Sequence, residues 1–344
     1  TLNGQGSIDT LTGGGGNDII SGGTGADALS GGSGNDTITG GVDNDNMTGG
    51  AGNDTFNVDS GTDTITDLST GDILIVTSGA IANATNISGF VATGSTSNSG
   101  TANLTASNSG GTIDVGNSTT GSYNLTGLAG ADTLKGNSNN DTINGGSGND
   151  TIDGRGGNDQ INAGDGDDTI IVSSAGQGNG DTVDGGNGTD ILQLSAGSHS
   201  ISSDGSLQNI QTITLNASGT TVDLTGQTEG LTITGGASND IITAGSGDDI
   251  INGAGGIDTI TGAGGSDNIS LGSSDSASDI VNFNASSGLD TIQQFVAGAS
   301  NGDIMKYLGN LNDKESGTNS SDGSNGSDEI LNADFIINSK NSSL

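Results

Sequence analysis

Cysteine, proline and tryptophan are absent from this 344-residue chain, and histidine occurs once, as His199. Without cysteine there is no disulfide framework, no thiolate zinc site and no cysteine nucleophile. No G-x-S-x-G elbow and no H-E-x-x-H accompanies the single histidine, so neither a serine-hydrolase triad nor a zinc-protease motif assembles, and His199 reads as a surface or loop residue. The lack of proline, together with the lack of a period of three, excludes a collagen-like use of the 67 glycines. Cations are scarce: Lys+Arg is 5 against Asp+Glu 41, a formal net charge of −36. That balance argues against nucleic acid and against adhesion to an anionic membrane. No apolar run approaches the ~20 residues of a transmembrane helix, and no signal-peptide pattern opens the chain. With 28% hydrophobic and 2% aromatic residues, composition alone would describe a disordered chain.

What is present overrides that reading. Between Gly13 and Asn57 the sequence runs GGGGNDIIS, GGTGADALS, GGSGNDTIT, GGVDNDNMT, GGAGNDTFN without a break. Asp18, Asp27, Asp36, Asp45 and Asp54 recur every nine residues, in phase with Ile20, Leu29, Ile38, Met47 and Phe56. A fixed short period specifies a stacked solenoid rather than a globule. The last three residues of each unit make a minimal strand with its middle residue inward. The first six make a turn, in which glycines let carbonyl groups converge and the aspartate adds a carboxylate. Carbonyl and carboxylate oxygens together are the ligand set of a hard divalent cation.

These units resemble the RTX, or hemolysin-type, calcium-binding nonapeptide G-G-x-G-x-D-x-U-x. The resemblance implies an all-β chain of parallel β-roll arrays, calcium in the turns, and consecutive strands in opposite sheets. Asp18, Asp36 and Asp54 would then line one edge and Asp9, Asp27 and Asp45 the other. A second array, GLAGADTLK to AGDGDDTII, places Asp132, Asp141, Asp150, Asp159 and Asp168 in register; Asp181 and Asp190 follow in two further units. A third array supplies Asp240, Asp249, Asp258 and Asp267. By the same resemblance these aspartates are the metal ligands, completed by the backbone of Gly13, Gly15, Gly22, Gly31, Gly145, Gly154, Gly235 and Gly253. Some units depart from the pattern: Asp43 stands for the fourth glycine, Asn137 and Asn139 replace two glycines, Ala163 and Ala244 replace leading ones, and the unit from Gly4 has lost most of its glycines.

The domain reading has six parts: a first roll with closing strands (4–76), a β-rich spacer (77–126), a second roll (127–193), a second spacer (194–234), a third roll with closing strands (235–308), and a flexible tail (309–344). The spacers, with stretches such as TANLTAS and IQTITL, read as short strands of a continued solenoid or a small sandwich. SDIVNF, LDTIQQF and NGDIMKYL resemble the closing strands of the family, and the hydroxyl-rich end resembles an uncleaved type I secretion signal. Thr1 opens inside repeat-like sequence, as expected of the downstream part of a longer protein.

Such a chain is expected to be largely unfolded without calcium. Stacked turns bring bare carboxylates about 5 Å apart, a repulsion of about 3 kcal/mol at an effective dielectric of 20, and a cation between them reverses its sign. The expected role is that of a secreted, non-enzymatic, calcium-bound structural protein of the bacterial cell surface, of the S-layer kind. It would self-associate into a lattice after export through type I secretion machinery. The alternative is the calcium-binding and export region of an RTX toxin or hydrolase. An ice-binding or adhesin stalk ranks below both, because the outward positions do not form one regular threonine file.

Overall fold

The computed structural model describes residues 1–172, 180–201, 203–216, 219–272, 278–283, 289–294, 303–307 and 335–338. The proposed secretion signal lies outside these residues except for a strand, Phe335–Asn338. The described residues contain strands, one 3-10 turn (Asp204–Ser206) and no α-helix, so none is long and apolar enough to cross a membrane. The chain forms two compact units: Thr1–Ser195 with Gly205–Thr212, and Ala196–Asp204 with Ile213–Leu344.

In the first array each strand pairs in parallel with the strand two nonapeptides away, and alternate strands go to opposite sheets. Ile19–Thr24 pairs with Thr37–Val42, matching Ile20 to Ile38 and Ser21 to Thr39. Ala28–Ser33 pairs with Asn46–Ala51, matching Leu29 to Met47. Two nonapeptides thus make one coil, and identical positions stack directly. The stacking creates internal files, Ile20–Ile38–Phe56–Leu74 and Leu29–Met47–Ile65, all but fully buried. One inward apolar residue per strand is all that a two-fold alternation over so short a strand can provide.

In the first array the glycine pair does not lie wholly in the turn. Gly23 pairs with Gly41 and Gly32 with Gly50, so these strands run six residues and carry the second glycine in their ladder. In the third array the strands shrink to the expected three, such as Ile241–Thr243 and Thr259–Thr261.

The first spacer is solenoid. Ile81–Ile87 pairs with Thr62–Ile65 on one side and Thr101–Ala106 on the other. Tyr123–Thr126 then joins Thr101–Ala106 to the second array at Thr142–Ser147. A bulge between Ala84 and Ile87, with Asn86 at φ 60°, ends the regular part of the Ile81–Ile87 strand. Gly89–Val91, just beyond it, begins a new sheet with Thr112–Asp114 and Thr133–Lys135.

The second unit repeats the principle. Gly197–Ser200, Thr220–Asp223, Ile241–Thr243, Thr259–Thr261, Ile280–Phe283 and Ile304–Tyr307 form one parallel sheet. Thr232–Thr234, Ile250–Asn252, Asn268–Ser270, Asp290–Gln293 and Phe335–Asn338 pair in the same way. His199 is a correction to the sequence reading. It occupies an inward position of Gly197–Ser200, paired with Val222, and is 2% exposed. The strand G-S-H-S carries no aliphatic residue, so nothing in its pattern signals an inward face.

Candidate metal centre

The repeated aspartates form ladders along the edges where strands meet turns. In each, one carboxylate oxygen accepts the backbone N–H of the aspartate one coil earlier. Asp18 N–H donates to Asp36 Oδ1 at 2.7 Å, Asp36 N–H to Asp54 and Asp54 N–H to Asp72, each at 2.8 Å. The second ladder runs Asp9, Asp27, Asp45, Asp63, with contacts of 2.8 to 3.0 Å. The two edges expected from the sequence are therefore geometrically separate files. The second array has two as well: Asp132–Asp150–Asp168–Asp190 and Asp141–Asp159–Asp181. In the second unit Asp240 connects to Asp258 and Asp249 to Asp267. The ladder aspartates are at most 6% exposed except Asp9 and Asp18, which are half-buried near the start.

Five further aspartates extend the files: Asp63, Asp72, Asp279, Asp290 and Asp303. Their signal in the sequence is the fragment D-x-hydrophobic, as in Asp63-Thr64-Ile65 and Asp72-Ile73-Leu74, without the full G-G-x-G run before it.

The other carboxylate oxygen is the informative one. Oδ2 of Asp9, Asp18, Asp27, Asp36, Asp45, Asp63, Asp132, Asp150, Asp159, Asp168 and Asp190 is buried and accepts no hydrogen bond. In many units this oxygen is aimed at a cup lined by the leading glycine of its own unit and the leading carbonyl one coil on. A Cβ built on Gly13 would lie 2.6 Å from Asp18 Oδ2 and 2.6 Å from the Gly31 carbonyl oxygen. On Gly22 it would strike Asp27 Oδ2 and the Gly40 carbonyl, on Gly31 Asp36 Oδ2 and the Gly49 carbonyl, and on Gly145 Asp150 Oδ2 and the Ala163 carbonyl. Gly154 faces Asp159, Gly235 faces Asp240 and the Gly253 carbonyl, and Gly253 faces Asp258. Gly15 differs: it lies beside Ser33 Oγ, away from any carboxylate. At these glycines the oxygens of the cup crowd the place of a Cβ, although the glycine φ is ordinary; two units lead with alanine instead, Ala163 and Ala244, both buried.

Stacked burial raises the protonation constants. Desolvation, then repulsion from Asp45, pushes Asp63 up to about 7 against a hydrogen bond from Asp45 N–H that opposes the shift. Asp159 and Asp267 also rise to about 7, and Asp141, Asp150 and Asp249 to about 6, desolvation being the largest cause in each. Buried carboxylates without counter-charges resist ionisation, and a cation in the cup would remove that resistance.

An orphaned carboxylate oxygen and a convergent carbonyl fit a hard divalent cation held by oxygens. Among the described residues no three acidic, histidine or cysteine side chains gather into a metal-holding group; a cation here would draw on backbone carbonyls as well as carboxylates. In three turns protein N–H groups take the second oxygen instead: Ser69 N–H bonds Asp72 Oδ2 at 2.8 Å, Asn137 N–H bonds Asp141 Oδ2 at 2.8 Å, and Gly236 N–H bonds Asp240 Oδ2 at 2.7 Å.

A second, outer ladder went unread in the sequence. Where the residue before a ladder aspartate is an asparagine, it can accept in the opposite direction: Asn35 N–H donates to Asn17 Oδ1 and Asn53 N–H to Asn35 Oδ1, at 2.9 and 3.0 Å. Asn140, Asn149 and Asn239 accept in the same way.

No curated protein matches the chain. The family model described as the RTX calcium-binding nonapeptide repeat (4 copies) matches residues 1–29, 30–65, 121–152, 135–170, 232–260 and 244–275. Those segments carry the ladders and cups described above, so this part of the chain is built of RTX calcium-binding nonapeptide repeats.

Proposed function

We propose that this calcium-binding chain is a structural protein of a bacterial cell surface, of the S-layer kind, exported unfolded by type I machinery and folded by extracellular calcium. The observation that carries the calcium half is the row of buried, unpartnered Oδ2 atoms facing glycine carbonyls. The aspartates would hold the ions, the carbonyls would complete their shells, and each ion would tie one coil to the next. RTX repeat proteins are typically secreted, and a millimolar-calcium exterior suits weak oxygen sites. Inside, at low calcium, the same ladder is a column of like charges that disfavours folding.

The structural role is supported by the first spacer. It supplies strands to the array sheets, so the first unit is one continuous scaffold. Purified protein in millimolar calcium should assemble into ordered sheets visible by negative-stain electron microscopy, and chelator should disperse them. A protein that stays monomeric in calcium would instead serve as the calcium-binding region of a secreted toxin or hydrolase.

A further inference from the structure

Apart from five lysines and arginines, this chain has no basic side chain but His199, and only Lys135 and Arg155 fall in the first 300 residues. Both flank the point where the first spacer meets the second array. Lys135 closes the strand Thr133–Lys135, and this strand and Thr151–Asp153 stack directly after Thr112–Asp114, which puts Asp114, Lys135 and Asp153 in one file. Arg155 follows Asp153 at a position where the repeat calls for glycine, and it holds φ 65°.

The Arg155 side chain spans two coils. Its guanidinium forks onto Asp114, with Nη1 2.9 Å from Oδ1 and Nη2 3.1 Å from Oδ2. Nη1 also donates to the Gly136 carbonyl at 3.2 Å, and Nε lies 4.0 Å from Asp153 Oδ2. A Cβ on Gly116 would overlap the guanidinium, so that glycine is the gap through which it passes. In the regular arrays the carbonyl equivalent to Gly136 shares a cup with the orphaned oxygen of an aspartate one coil earlier. Here that aspartate is missing: the ladder position is Tyr123, whose N–H donates to Asp141 Oδ1. Two further acceptors of this turn are satisfied by the protein. Asn137 Nδ2 donates to the Gly121 carbonyl at 2.9 Å, and Asn137 N–H to Asp141 Oδ2 at 2.8 Å.

We propose that at this junction Arg155 takes the place of a metal ion. The cup has lost its carboxylate, and the guanidinium brings a cation from the coil beyond while Asp114 supplies the counter-charge. A planar fork with five fixed donors suits bidentate pairing to one carboxylate plus a carbonyl. Spacer and array are therefore joined on this edge by the chain's own charge, while the regular turns on either side depend on calcium. The inference rests on the calcium reading of those regular turns.

The test uses the full chain in saturating calcium, with bound calcium counted by elemental analysis and amide exchange followed over residues 112–126. Arg155→Gln, Asp114→Asn and Gly116→Ala should each accelerate exchange there at least tenfold, leave exchange in the first array unchanged, and leave the calcium count equal to wild type. Arg155→Lys, which keeps the charge and loses the fork, should fall between. Unchanged exchange in all three variants would overturn the proposal, and so would loss of a bound calcium in Arg155→Gln, since the guanidinium would then be positioning an ion rather than replacing one. Should Arg155→Gln fail to fold, Asp114→Asn, nearly identical in shape, gives the same reading. A wild-type protein that binds no calcium would fail the underlying assignment alone, because the exchange difference is read independently of the count.

Discussion

At the residue scale, each aspartate has two jobs that its two oxygens divide. Oδ1 holds the N–H of the preceding coil, and Oδ2 waits in a cup of carbonyls. Replacing Asp36 by alanine should therefore raise the calcium concentration at half-folding several-fold, as read by circular dichroism titration. Asp59→Ala should leave it near wild type, because Asp59 is exposed and outside the ladders; equal shifts in both variants would contradict the assignment. The two glycines of a unit fail differently. Gly31→Ala pushes a methyl group against Asp36 Oδ2 and the Gly49 carbonyl, so it should act through calcium affinity. Gly32, at φ 109° and packed on the Gly14 carbonyl, should cost about 1–2 kcal/mol from backbone strain alone when changed to alanine, seen as a lower urea midpoint even in excess calcium. The aspartates were legible because chemistry and period coincide in them. The outer asparagine ladder was not, since asparagine beside a turn has an ordinary local explanation, and only the stacking reveals its partner 18 residues away.

At the element scale, a strand contributes one buried residue, and its neighbours in the stack decide its worth. Ile113 in the spacer and Ile152 in the array are both fully buried, in the same sheet and joined through Leu134. Either isoleucine changed to alanine should cost about 2–5 kcal/mol, measured by urea unfolding in calcium. A spacer that tolerated the change while the array did not would show that the spacer is not part of the same core. The sequence already read this spacer as strands, but left solenoid and sandwich open, because alternation shows a strand and not its partner. The ladder beyond the third array was missed for a related reason. Asp258 to Asp279, Asp267 to Asp290 and Asp279 to Asp303 step by 21, 23 and 24 residues. Loops of variable length break a nine-residue beat without breaking the stack, which tolerates longer loops at small entropic cost. His199 shows the converse limit: a polar residue on a short strand carries no sign of the face it takes.

At the scale of the whole molecule, a net charge of −36 confronts ladders that bury carboxylates without counter-charges. The folded-state constants of Asp63, Asp159 and Asp267 rise from 3.8 to about 7. A carboxylate raised on folding contributes stability below its unfolded value, where both states are protonated, and that contribution is lost as pH climbs through the folded value. In chelator, then, residual β structure should be greater near about pH 5 than near about pH 8. In limiting calcium the order should reverse, because protons compete with the metal for the same oxygens; a calcium affinity that did not rise with pH would count against carboxylate ligands. The most direct measurement is far-ultraviolet circular dichroism at neutral pH, first in excess chelator and then in millimolar calcium. A solenoid joined coil to coil by ions gives a largely unordered spectrum that converts cooperatively to β structure on adding calcium, and the same β-rich spectrum in both solutions would contradict it.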